Sequence, residues 1–324
     1  MKIGITYDTK EDYTDIDYNK YCDFASLTSI SFLKKEFEQA GFAVQLIGSC
    51  EKLKKLLASS ELYVDYVYNT AEGINSRNRE GIIPILLETN SIPYIGSDAY
   101  SLSLSLNKYH TKLLAKAYNI PTPNAELIYL YDDEKEIKRK LAKLKFPVVV
   151  KPNYEGSSMG LFLANTIEEC LSLIGQDQKD YRQEILCEEY IDGMEITVPV
   201  IGNGIDTKAL GVVEFYRNSG KPISLFESND KHYANIKCRQ ASVPDMTERQ
   251  LKKYSEQLHK FLGCRDVNRL DYRLTSDNKI YFLEMNPLPA LDSDGSFVCA
   301  AKTQGMNFTD VLKQIVHAAI LRYQ

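Results

Sequence analysis

The chain has 324 residues, 44% hydrophobic and 26% charged, with 39 Lys and Arg against 44 Asp and Glu for a net charge of −5. That profile predicts a soluble protein of two or three domains, and the absence of a basic stripe interleaved with aromatics argues against nucleic acid or an anionic membrane as partner. No apolar run approaches the roughly 20 residues of a membrane span and the N-terminus lacks a signal-peptide pattern, so a cytoplasmic location is expected.

In chain order, Lys2 to Tyr7 reads as a strand, Phe24 to Ala40 as a helix stopped by Gly41, and Phe42 to Ile47 as a second strand. A short helix near Glu51 to Ala58, a strand from Leu62 to Asn69 and a helix from Glu80 to Thr89 follow, and Ile92 to Ser97 closes the unit as a short strand and turn. Strands alternating with helices predict a parallel sheet. Helices are then expected from Asn107 to Tyr118 and Asp132 to Lys145, before a buried strand, Phe146 to Lys151, that delivers a lysine to its end. A strand at Leu161 to Ala164 follows the Gly-Ser segment 156–160. The remainder is richer in strands: Ile185–Tyr190, Glu195–Val200, Lys208–Phe215, Leu270–Leu274 and Ile280–Met285. One helix is placed at Thr247 to Leu262, with a Thr247/Gln250 capping box and an apolar face of Leu251, Tyr254, Leu258 and Phe261. The fold class is α/β and α+β, divided at about 97 and 191.

Seven cysteines, no two closer than Cys170 and Cys187, indicate neither a disulfide framework nor a thiolate metal site, and four scattered histidines argue against a His/Cys metal centre. Lys151 to Gly160 places a lysine, two glycines and two hydroxyls in a turn whose N–H groups suit phosphate oxygens. Read alone, such a segment is more often an ordinary hairpin, and it is not a Walker A sequence, since the Gly220-Lys221 pair runs into Pro222. Glu188 and Glu195 flank a glycine turn where carboxylates can accept from ribose hydroxyls; taken alone, they are solvated turn acids. Asp271, Glu284 and Asn286 lie at corresponding places on two apolar strands, a donor set that suits Mg²⁺ bridging phosphates. The competing reading pairs Asp271 with Arg269 or Arg273.

Six segments in order, Ile-Pro-Tyr-Ile-Gly-Ser (92–97), Asn-Lys (107–108), Lys-Pro-x-x-Glu-Gly-Ser-Ser-x-Gly (151–160), Glu-Glu-x-x-x-Gly-x-Glu (188–195), Arg-x-Asp (269–271) and Glu-x-Asn-x-x-Pro (284–289), resemble the ATP-grasp ligases, most closely the D-alanine–D-alanine ligase family. The resemblance implies an ATP-grasp fold: an N-terminal parallel-sheet domain over 1–97, a central domain over 98–191 and a C-terminal domain over 192–324. It implies that Lys108 and Lys151 contact the ATP phosphates, and that Glu188, Tyr190, Ile191 and Glu195 hold the adenosine. Ser157 and Ser158 would lie in a flexible loop over the nucleotide, and Arg269 would face a developing oxyanion. Asp271, Glu284 and Asn286 would bind two Mg²⁺, with Mn²⁺ as an alternative, and Lys231 is the candidate loop lysine over the γ-phosphate.

The implied activity is carboxylate–amine ligation of amino-acid substrates through an acyl phosphate, in a homodimer. The family's N-terminal Gly-Gly-x-Ser-x-Glu-His motif is replaced here by Tyr7 to Asp12, followed by Asp15, Asp17 and Asp23, and its His-Gly-x-x-Gly-Glu-Asp-Gly segment by Asn69 to Gly81. Arg79, Glu80, Ala290 and Ser296 are therefore the substrate-side candidates, with Arg79 placed to meet a substrate carboxylate. Rival readings are a ligase joining other amino acids in specialised metabolism, and a non-catalytic ATP-binding protein.

Overall fold

The computed structural model describes residues 1–9, 12–13, 24–217 and 236–324. Its first sheet is parallel, in the order β2-β1-β3-β4, from β1 (Lys2–Thr6), β2 (Ala43–Gly48), β3 (Tyr66–Asn69) and β4 (Tyr94–Ile95). Helices α1 (Leu27–Gln39), α2 (Cys50–Ala58) and α3 (Ile82–Thr89) make the crossovers. α1 starts three residues later than the sequence predicts because the Ser26 hydroxyl accepts the Ser29 N–H at 3.0 Å and caps it. It buries Ile30, Leu33 and Phe37 toward the sheet. At the C-terminal ends of β1 and β3 the Thr6 hydroxyl donates to Asn69 Oδ1 at 2.8 Å, so the segments leaving both strands emerge at the sheet edge where open α/β folds bind ligands.

A short helix α4 (Ala99–Leu106) and then α5 (Lys108–Ala117) lead into the second sheet. This one is antiparallel, in the order β5-β8-β6-β7, built from β5 (Ala125–Ile128), β6 (Val148–Pro152), β7 (Phe162–Ala164) and β8 (Ile185–Glu189). α6 (Glu134–Leu141) and α7 (Ile167–Tyr181) contribute Ile137, Leu141, Cys170 and Ile174 to its core. Neither β5 nor α7 is foreseen from the sequence. α7 is polar along most of its length and buries only Cys170, Ile174 and Asp177, too sparse a stripe to mark a period.

The third sheet runs β12-β11-β9-β13-β14, with β10 on β9. Its strands are β9 (Met194–Ile201), β10 (Lys208–Ala209), β11 (Val213–Arg217), β12 (Ile236–Gln240), β13 (Val267–Leu274) and β14 (Ile280–Asn286). The strand expected over 208–215 is thus two: between them Leu210 N–H bonds Pro199 and the chain passes Gly211 tight against Thr303. α8 (Asp245–Phe261) covers this sheet with Leu251 and Leu258 fully buried. The expected capping box does not form: Pro244 sits at the helix entry, where its fixed φ fits, and Thr247 lies inside the first turn. Two C-terminal helices that the sequence reading omits, α9 (Ser296–Thr303) and α10 (Phe308–Tyr323), close the chain. α10 returns to the first sheet, where Leu312 and Ile315 share a core with Ile3, Ile5 and Phe37, and Thr309 donates to Glu36 at 2.8 Å.

Candidate active site

β6 carries Val148, Val149 and Val150 buried, and brings Lys151 into the interior at its end. α5 begins beside it. Its N-cap Asn107 takes the His110 N–H at 3.0 Å on the same Oδ1 that accepts Asn153 Nδ2 at 3.0 Å, while Asn153 Oδ1 takes the Tyr109 N–H at 3.0 Å. Two buried amides thereby fix the start of α5 against the end of β6, and with them Lys108 beside Lys151.

One turn beyond Lys108, Lys112 is also buried. Its Nζ lies 2.6 Å from one oxygen of Glu188, and Lys151 Nζ lies 2.6 Å from the other. Burial works against the Glu188 carboxylate, but the two ammoniums outweigh it and hold the group down to about 2. Burial pulls Lys112 down to about 8 against Glu188, whereas Lys151, equally desolvated, ends above its ordinary value because Glu188 and Glu284 favour its charge. Two cations around one anion leave a net positive charge walled from water, which suits a polyanionic ligand. The solvated-turn reading of Glu188 is therefore overturned. Glu195, at the far side of the Gly193 turn, lies 2.9 Å from Arg273, and burial pushes it up to about 7, Arg273 opposing and Asp271 and Glu284 adding to the rise.

β13 and β14 pair antiparallel with Asp271 opposite Glu284 and Arg269 opposite Asn286, the juxtaposition expected from the sequence. Asp271 is ringed by donors: Arg269 Nε at 3.1 Å and Nη2 at 2.8 Å, Asn286 Nδ2 at 3.0 Å, and the Thr197 hydroxyl at 2.6 Å. The ion pair with Arg269 that the competing sequence reading expects is formed, and Asn286 and Glu284 stand beside it. Lys108 Nζ lies 3.4 Å from Glu284 and also donates to the Glu155 carbonyl. Burial disfavours the Glu284 carboxylate, yet Lys108, Lys151 and Arg269 together keep it below its ordinary value. Among the described residues no three His, Cys, Asp or Glu side chains could hold a metal. The Asn286 amide is therefore needed to complete the set, and two carboxylates with one amide fit a hard, oxygen-seeking cation such as Mg²⁺.

The Gly-Ser segment crosses above these groups. Ser157 and Ser158 adopt φ of 45° and 55°, and Gly160 closes the turn at 63°, where a Cβ would lie 2.7 Å from the Pro152 ring. Arg79 reaches it from the first sheet: Nη1 donates to the Tyr154 carbonyl at 3.0 Å and Nη2 lies 3.6 Å from the Glu155 carboxylate, which also accepts Gln183 Nε2 at 2.6 Å.

A cavity of about 690 Å³ joins these pieces. Lys108, Ser157, Ser158, Glu195, Arg269, Asp271, Glu284 and Asn286 line it, as do Arg79, Glu80, Ala290, Ser296 and the start of α1. Lys151, Glu188, Tyr190 and Ile191 lie outside its lining; Tyr190 holds Asp192 at 3.3 Å at the mouth of the Gly193 turn. Lys231 lies outside the described residues. Sequence reasoning missed Lys112, Thr197, Asn153 and Glu155. For Lys112 the signal was present, a lysine spaced four after Lys108 on the face that also buries Thr111 and Ala115.

The C-terminal model of the D-ala D-ala ligases matches residues 114–317. The D-alanine–D-alanine ligase of Cupriavidus metallidurans is 30% identical over 245 residues, covering 75% of this chain and 72% of that one. A Sinorhizobium fredii protein, y4sG, is 31% identical over 287 residues, 85% of this chain and 83% of its own. In three dimensions the chain is similar to the crystal structure of D-alanine–D-alanine ligase from Bacillus anthracis, with a TM-score of 0.79 at 22% identity over 99% of this chain and 97% of that one. By fold and by sequence, the chain belongs to the D-ala D-ala ligase family.

Proposed function

We propose that the protein is an ATP- and Mg²⁺-dependent ligase that joins the carboxylate of one amino acid to the amine of another, releasing ADP and phosphate, with D-alanyl-D-alanine as the leading product. The observation that carries this reading is the meeting of Lys108, Arg269, Asp271, Glu284 and Asn286 in the lining of a single cavity, with Lys151 buried on Glu188. In such a reaction the first carboxylate attacks the γ-phosphoryl group, and the second amine displaces phosphate from the acyl phosphate. Positioning and charge neutralisation carry most of that work, so lysines matter more than an acid–base pair.

In this reading Lys108 and Lys151 take the phosphate oxygens, while Glu188, Tyr190, Ile191 and Glu195 hold the adenosine. Ser157 and Ser158 cover the nucleotide, and Arg269 turns from Asp271 toward the oxyanion. Asp271, Glu284 and Asn286 hold two Mg²⁺, replaceable by Mn²⁺, which supply charge neutralisation. Arg79, Glu80, Ala290 and Ser296 form the amino-acid wall. A cytoplasmic homodimer completes the proposal and rests on the family resemblance.

A second reading, ligation of other amino acids, is favoured by one residue. Arg79, the candidate for a substrate carboxylate, stands in the cavity wall in place of the family's acid, with its guanidinium also touching Tyr154 and Glu155. Phosphate release from Mg²⁺-ATP with D-alanine, then with pooled L- and D-amino acids, followed by mass spectrometry of the products, separates the two. A D-Ala-D-Ala mass supports the leading reading and another conjugate the second; ATP binding without turnover in any pool returns the protein to the non-catalytic class.

A further inference from the structure

Six cysteines are free among the described residues. Cys170, Cys187 and Cys264 are buried, and desolvation pushes their thiols up, Cys170 to about 11 and Cys264 to about 12, which leaves them unreactive. Cys50 is half-buried and is likewise pushed up by burial. Cys238 and Cys299 differ from all four.

Cys238 sits on β12, the edge strand of the third sheet, and Cys299 sits on α9, which packs against that strand. Both are half-buried against the core that α9 and α10 share. Cys238 Sγ donates to the Asp294 carbonyl at 3.2 Å and lies 3.6 Å from the Gly295 carbonyl. That same Gly295 oxygen accepts the Cys299 N–H at 3.1 Å. One peptide oxygen is thus common to both residues, which brings the two side chains together at the start of α9.

The pair is asymmetric. With its S–H turned from the Asp294 carbonyl toward Cys299, Cys238 holds Cys299 below its ordinary value, with Lys302 on the next turn adding and burial opposing, and Cys238 is itself raised by that contact. A thiol favoured toward ionisation beside a partner that stays protonated is the arrangement that thiol–disulfide exchange needs. The site also abuts the ligand cavity, since Asp294, Gly295 and Ser296 line its wall.

We propose that Cys238 and Cys299 form a modification site, a dithiol that exchanges with low-molecular-weight disulfides of the glutathione class and closes to an intramolecular disulfide beneath the 292–296 wall. The Cys299 thiolate attacks one sulfur of the small disulfide, whose S–S bond breaks and expels a thiolate. That thiolate takes the Cys238 proton, and Cys238 sulfur attacks Cys299 sulfur, expelling the second small thiol. Two protein thiols are oxidised and one disulfide is reduced to two thiols, so no further oxidant is required. Closure removes the Cys238 donor from the Asp294 carbonyl and ties the edge strand to α9, which alters the wall. The site itself stands independently of the ligase reading; only its consequence for turnover rests on it.

The test uses the full chain, reduced and then incubated with oxidised glutathione, with peptide mapping under non-reducing conditions and titration of free thiols. The expected result is a peptide linking 238 to 299 and a loss of two thiols reversed by dithiothreitol. Cys238→Ser should instead trap glutathione on Cys299, and Cys299→Ser should form no link. Turnover of the linked protein should fall about fivefold, the equivalent of one lost hydrogen bond, and recover on reduction. Glutathione found only on other cysteines, or no uptake at all, overturns the proposal. A linked peptide with unchanged turnover in an active enzyme overturns its coupling to the wall, and an inactive reduced protein sinks the ligase reading while the peptide map still decides the site.

Discussion

In the charge network each group has partners drawn from different elements: Glu188 on β8 sits between Lys112 of α5 and Lys151 of β6, and Asp271 on β13 takes donors from β9, β13 and β14. Elsewhere much of the cavity lining comes from connections, the 70–80 segment after β3 and the 287–296 segment after β14, and Arg79 of the first reaches the Tyr154 carbonyl. A buried charge network tolerates little change because removing one member strands another in low dielectric. Loop walls can be re-lined without that penalty, so in the proposed reading the nucleotide and the amino acids fall to different kinds of structure.

The sharpest break in that comparison is at the oxygen cluster. Asp271→Asn and Glu284→Gln each remove a charge that a bound cation needs; kcat should fall about 10²–10³-fold or more, the scale of losing one group that stabilises developing charge. ATP affinity by calorimetry should fall far less. Equal loss of both would mean that the cluster only holds nucleotide. Lys112→Met comes next. It leaves Glu188 buried with one partner in place of two, and a loss of about 3 kcal/mol is expected in urea unfolding, with KM for ATP raised through the displaced Lys151. A stability loss without any change in KM would make Lys112 purely structural.

How much of this was legible follows the same division. Lys151, Asp271, Glu284 and Asn286 stand on or at the ends of apolar strands, where charge among Val and Leu is conspicuous, while Lys108 was reached only through the resemblance; the structure sets Asp271 opposite Glu284 and Lys108 beside Glu284. The Glu188 ion triad was not legible, because its members are far apart in sequence and adjacent only through the packing of α5 on the second sheet. Arg79 was flagged as a charge on the substrate side, but its partners Tyr154 and Glu155 come from another sheet, which a single sequence does not reveal. In the fold, the alternating first unit was readable from period alone. α10 was missed as an element, and its return to the first sheet is a long-range contact with no local signature.

Arg79→Met tests the loop-built wall. If Arg79 steadies the Gly-Ser segment, KM for the amino acid and for ATP should both rise by about tenfold, near 1.4 kcal/mol, and proteolysis within 153–160 should quicken even with ATP present. Were Arg79 instead a substrate-carboxylate receptor, only the amino-acid KM would move and the segment would stay as resistant as before.

The smallest effect is expected at Asp177, which supplies a control outside both regions. It is buried in α7 against the core of the second sheet, and its Oδ2 has no hydrogen-bond partner among the described residues. Burial, with Asp180 adding, raises its acid from 3.8 to about 7. The folded state therefore binds this proton more tightly than the unfolded chain does. The stability linked to it is complete below the unfolded value and disappears as pH rises toward about 7, above which the buried group is charged and unpaired. Asp177→Asn removes that ionisation, so the variant should melt close to wild type near pH 4 and be more stable by about 1 kcal/mol near pH 8. Because α7 lies on the far side of the sheet from Glu188, kcat and KM should not change. A fall in kcat accompanying the gain in stability would show that the second sheet must stay loose for turnover, and the contrast between a fixed region and an adaptable one would then run through the charge network itself.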